Sequence, residues 1–187
     1  MRLFHFSEDP SLALFAPRPV RVPVEGRAAW LNGPLVWAID EAHSFLYFFP
    51  RDCPRILIWP TARSTAADRQ RWMGETAARA VAYVEASWLD RLKAATVYRY
   101  DLPVTGFEDI GDVGMWVSRT AVQPLRIDAF AALDRRLAEA DVELRVLEEL
   151  TPLRDVLDST LHASGIRLRN ARNWPAPGWP HSKPIVT

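Results

Sequence analysis

Two apolar runs dominate the start of the chain: Leu3-Phe4-His5-Phe6, and then residues 35–39, which lead through Asp40 and Glu41 to Phe45, Leu46, Phe48 and Phe49. Short apolar runs bounded by Pro, Gly or acids predict buried strands, whereas apolar residues three and four apart predict a helix face. On that basis strands are expected over residues 2–6, 35–39, 56–59, 97–102, 115–118 and 143–147. Helices are expected over 11–15, after the Ser7-Glu8-Asp9-Pro10 stop, and from Asp40 to the break at Pro50. The longest helix is expected over 66–94, opened by Thr65 and Asp68 as a capping box, with Val81, Val84, Trp88 and Leu92 on one face and Gly74 as its weak point. Asp128 is placed to cap a further helix carrying Phe130, Leu133 and Leu137, and Thr151-Pro152 to open a last short one.

What lies between these elements is loop. Residues 16–34 are proline-rich with neither period, residues 107–114 are acidic and punctuated by glycine, and the tail beyond Asn173 holds four prolines with Trp174 and Trp179. Strands interleave with helices and no repeat or linker interrupts them. The expectation is therefore one α+β domain over residues 1–187, with 173–187 as a proline-rich tail.

Composition narrows the class without naming an activity. At 187 residues, with 49% hydrophobic and 25% charged side chains, the chain can bury a core unaided. Formal net charge is zero, so no bulk field gathers nucleic acid or an anionic membrane, and neither is an expected partner. Lys93 and Lys183 are the two lysines among 23 basic residues, the remainder being arginine. Arginine forks can grip phosphate or carboxylate, and Arg167, Arg169 and Arg172 read either as such an anion site or as the exposed side of an extended segment. No run approaches the roughly twenty apolar residues of a membrane span, and the start is too short for a signal peptide. A cytoplasmic protein is expected.

Candidate chemistry is sparse. His5, His43, His162 and His181 are far apart and lack ligand spacing, so no metal is expected. Cys53 lies between Asp52 and Pro54 and reads as a buried, inert thiol. Phosphate-binding glycine loops and a G-x-S-x-G elbow are missing. Most of the eight Trp and eight Phe belong to a core, but Trp37 and Tyr47 stand near polar strand ends.

Three motifs, LFHFS, then VWAID followed by LYFF, then GMWVS, resemble the three-part pattern of ADP-ribosyltransferase-like domains. The resemblance implies a split, mostly antiparallel sheet flanked by helices, with NAD as cofactor. It assigns His5 to the adenosine ribose of NAD, and Trp37 and Tyr47 to stacking on nicotinamide, while Arg18 or Arg119 is available for phosphate. The family's third strand carries a Glu that orients the nicotinamide ribose, and here Met115 stands at that position. Glu108, Asp109 and Asp112 on the preceding loop are the substitutes. The expected function is thus an NAD- or nucleotide-binding domain with a degenerate catalytic site, or else a non-catalytic binding or interaction module on the same scaffold. The chain, including its later STLHASGIRLRNA stretch, is also similar to a bacterial family of unknown function whose members start RLFHFSEDP.

Overall fold

The computed structural model describes residues 1–20 and 28–174. Part of the proline-rich loop of residues 16–34 and nearly all of the tail, with Trp179 and His181, lie outside the described residues. In chain order the strands and helices are β1 (Leu3–Ser7), β2 (Val36–Asp40), β3 (Arg55–Trp59), α1 (Ala66–Met73), β4 (Ala80–Glu85), α2 (Leu89–Ala94) and β5 (Val97–Leu102). They continue with β6 (Glu108–Asp109), β7 (Met115–Ser118), β8 (Arg126–Phe130), α3 (Leu133–Glu139), β9 (Val142–Leu147) and β10 (His162–Ile166). The class is α+β, and the chain divides into two compact units.

The first unit comprises residues 1–47 and 97–130 among those described. Its sheet has the order β6-β7-β2-β1-β5-β8, and each neighbouring pair is antiparallel. Alternation along β1 sends Leu3 to one face, where it packs with Val36, Ala38, Tyr100, Leu102, Phe107 and Val122. Phe4 and Phe6 therefore take the other face. Phe15, expected in a helix over 11–15, instead makes an isolated antiparallel bridge to Val122, and its ring meets Tyr100 edge-on.

The second unit comprises residues 48–96 and 131–174 among those described. Its sheet has the order β10-β3-β4-β9, antiparallel except for the parallel pair β4 and β9. One face carries Ile56, Ile58, Val81 and Tyr83 against Leu153, Val156, Leu157 and Leu161. The helix α3 packs on α2 and β9. All three α-helices among the described residues belong to this unit, and the strands form two sheets, one in each unit, where one split sheet was expected.

Several further expectations are corrected here. The long helix over 66–94 is two short ones separated by a strand. Gly74, at φ +64°, ends α1 by donating its N–H to the carbonyls of Arg69 and Gln70, and β4 follows, buried at all six positions between β3 and β9. A strand covered on both faces is apolar along most of its length, as β4 is up to Glu85, so its residues satisfy a helical period by accident. Thr65 does cap α1, accepting from the N–H of Asp68.

Asp128 does not cap a helix. It lies in β8 opposite Arg99 and accepts from that guanidinium at 2.8 Å, while Ala132, left-handed at φ +52°, precedes α3. The helix expected before Pro50 shrinks to one 3-10 turn, Ser44–Tyr47. The segment after Arg167 is not extended, because Leu168–Asn170 is a 3-10 turn and Arg167 donates to the carbonyl of Arg51 at 3.1 Å. The last expected helix is a 3-10 helix, Thr151–Asp158, and β10 follows it without having been foreseen.

Candidate functional site

The first sheet is not continuous between its two central strands. β1 pairs with β5 from Leu3 opposite Leu102 to Ser7 opposite Tyr98, and β2 pairs with β7 from Val36 to Ile39. Between β1 and β2, however, only Leu3 opposite Asp40 and Phe4 opposite Ile39 are in register. Beyond Phe4 the two strands part, and there the imidazole of His5 replaces the ladder: its Nδ1 stands 2.9 Å from the carbonyl oxygen of Trp37. A carbonyl only accepts, so Nδ1 carries the proton.

The parting leaves a cavity of about 110 Å³ lined by Phe4, His5, Phe6, Trp37, Ala38, Ile39, Tyr47 and Met115. Tyr47 lies parallel to Phe6, with ring centroids 6.0 Å apart and planes inclined by 10°, and its hydroxyl donates to the sulfur of Met115 at 3.7 Å. Met115 is opposite Ile39, and Trp37 opposite Val117. No carboxylate is among the lining residues. The wall is mostly aromatic and apolar, with the Tyr47 hydroxyl among its polar groups, which suits a planar ring better than a charged group.

The sequence-derived candidates thus separate into two sets. His5, Trp37 and Tyr47, distant in sequence, meet at one cavity with Met115. Arg18, Arg119, Glu108, Asp109 and Asp112 are not among the lining residues. Arg18 bridges the backbone of Leu35. Arg119 pairs with Glu108 at 3.0 Å and lies over the ring of Trp30 at 4.7 Å. Asp109 accepts from the N–H of Gly111, and the carbonyl of Asp112 from the N–H of Met115. Glu108 nevertheless shares a row with the site, since it is opposite Val117, which is opposite Trp37, and residues directly opposite share a sheet face.

Phe6 was missed as a lining residue. The strict alternation of Leu3-Phe4-His5-Phe6-Ser7 is the signal that places it on the face of Phe4, away from the core of Leu3. On that face the guanidinium of Arg99 stacks over Phe4 at 4.4 Å and Phe130 at 4.8 Å. Burial opposes the ionisation of Asp128, but hydrogen bonds from Arg99 and Arg126 outweigh it and hold its pKa below the usual carboxylate range.

In the second unit Cys53 is fully buried, and burial pushes its thiol up to about 11, against the lowering influence of Arg55 and Arg91. Such a thiol carries no thiolate at neutral pH. Among the described residues no three His, Cys, Asp or Glu converge as a metal site, and no helix is long and apolar enough to cross a membrane.

Fold and cavity together define an α+β protein whose first sheet opens between its central strands onto an aromatic pocket. The chain belongs to the family of unknown function DUF6886, whose model matches residues 4–171. Neither a curated protein nor a solved structure matches it.

Proposed function

We propose that the first unit binds the planar ring of a nucleotide-like ligand, NAD among them, in the opening between β1 and β2, and that it cleaves such a ligand slowly or not at all. The observation that carries this reading is the convergence of His5, Trp37 and Tyr47 on one cavity, at the point where the ladder between β1 and β2 stops. Its volume of about 110 Å³ is well below the roughly 300 Å³ at which sites for whole small molecules begin. The ring therefore enters, and ribose and phosphates stay at the mouth. Cleavage of a glycosidic bond to nicotinamide develops positive charge on the ribose, and a site that does this work positions a carboxylate beside it. An apolar lining without one favours binding over turnover.

NAD titrated against the purified protein, followed by tryptophan fluorescence and by nicotinamide release, tests the reading. Saturable quenching that is lost in Trp37→Phe, with no release, is the expected result. Failure of NAD, adenosine and nicotinamide alike to perturb the fluorescence at millimolar concentration would sink it.

A further inference from the structure

The two edges of the first sheet are built differently. β6 is two residues long and both are acidic, which protects it against pairing with another chain. β8 has five residues, no proline and no lysine, and among the described residues it pairs with β5 alone. Beside the exposed Arg126 it presents large apolar side chains to solvent. Ile127 is 43% exposed, and Leu125, just before the strand, is 73% exposed. Beside them an open groove of about 550 Å³ runs between residues 10–13 and 123–127, with Leu12, Pro124 and Leu125 in its wall. The charges of β8 are of both signs and two residues apart, Arg126 and Asp128, held to each other as an ion pair.

We infer that β8 is a homodimer edge, pairing antiparallel with β8 of a second copy about a two-fold axis at Ile127. The charge pattern selects both the partner and the register. In an antiparallel self-pairing centred on Ile127, position 126 of one chain lies opposite position 128 of the other, so each Arg126 meets an Asp128 and each Asp128 an Arg126. Shifting the centre to Asp128 would set the two Asp128 carboxylates against each other, and centring on Arg126 would do the same to the two guanidinium groups. A two-fold contact is self-complementary by construction, and this strand is self-complementary in charge about one residue only. The pairing also covers Ile127 with Ile127 of the partner and Leu125 with the partner's strand. One strand edge with its rim is a small interface, so the dimer belongs to the weak, concentration-dependent class.

Sedimentation velocity over a concentration series of the full chain tests this. The wild type is expected to pass from monomer to dimer, and Ile127→Lys, at a solvent-facing position, to weaken the association roughly tenfold or more while leaving the far-UV spectrum unchanged. Register is read separately by mild oxidation of variants with one added cysteine, which the fully buried Cys53 does not confuse. Ile127→Cys should give a covalent dimer, because residues directly opposite bring their Cβ atoms within disulfide reach. Ala129→Cys, which lies opposite Leu125 in this register, should not. A chain that stays monomeric at every concentration, or a dimer indifferent to Ile127→Lys, overturns the inference.

Discussion

His5 holds the carbonyl of Trp37 through its ring Nδ1 at 2.9 Å, across the gap where the backbone ladder between β1 and β2 has ended. One side chain thus closes the sheet beside the pocket, with its ring against Phe15 on the Leu3 face. A neutral hydrogen bond of this kind is worth about 1 kcal/mol net, with more lost if the carbonyl is left without water. His5→Ala should therefore lower the unfolding free energy by about 1–2 kcal/mol in a urea titration. It should also weaken ring binding. A variant that keeps full stability would show that water replaces the imidazole.

Gly114 is the closest backbone approach near the site. Its φ is +68°, and a Cβ there would meet His43 Nδ1 at 2.6 Å and Asp40 Oδ1 at 2.8 Å, the two atoms that hold each other at 2.8 Å. Gly111 has the same φ with nothing within 4 Å. Alanine at Gly111 should cost the backbone strain alone, about 1 kcal/mol, and alanine at Gly114 about 2–3 kcal/mol or more. Parallel urea titrations of the two variants measure the difference. Equal costs would mean that the His43 and Asp40 side chains move aside without penalty.

Much of this was legible in the sequence, and the failures have physical causes. Strands with polar boundaries, β1, β2, β5 and β7, announce themselves by short apolar runs between turn residues. β4 does not, because its apolar residues also fit a helical period and its parallel partner β9 lies far away in sequence, Ala80 being opposite Val142. A local pattern cannot weigh that pairing against a helix. β10, with Gly165 and Ser164 in its middle, has little strand character of its own and exists through its pairing with β3. Motif position alone singles out His5, Trp37 and Tyr47, but the arrest of the β1 and β2 ladder after Phe4, which opens the cavity, has no local signature. Asp128 has the look of a cap because acids are common there, whereas its partner Arg99 is supplied by the neighbouring strand.

That cross-strand pair has a pH signature. The pKa of Asp128 is lower in the folded protein than the ordinary value of 3.8, so its contribution to stability is fully present above that value and is lost as the pH falls through the lower, folded pKa. Asp128→Asn should destabilise the protein at pH 7, and the gap between variant and wild type should narrow below about pH 4. Urea unfolding at several pH values provides the measurement. A gap that stays constant down to pH 2 would assign the loss to packing rather than to charge.

Met115 offers the most direct test of what the cavity lacks. Its side chain lies opposite Ile39 and accepts from the Tyr47 hydroxyl, so a glutamate there would bring a carboxylate into the lining with a hydrogen-bond donor at hand. The apolar walls would disfavour the charged form and raise its pKa, while the Tyr47 hydroxyl would partly offset that. One positioned transition-state contact is commonly worth roughly a hundredfold in rate. With NAD as substrate, Met115→Glu is therefore expected to raise nicotinamide release by roughly that factor above a wild type that shows little. If the wild type already turns NAD over at about one per second, as a competent enzyme does, another carboxylate is at work. Glu108 is then the first to change, because it shares the sheet row of Val117 and Trp37. Glu108→Gln should abolish that turnover, and a Glu108→Gln protein that remains fully active would rule Glu108 out and turn the search to Asp101, which lies opposite the lining residue Phe4.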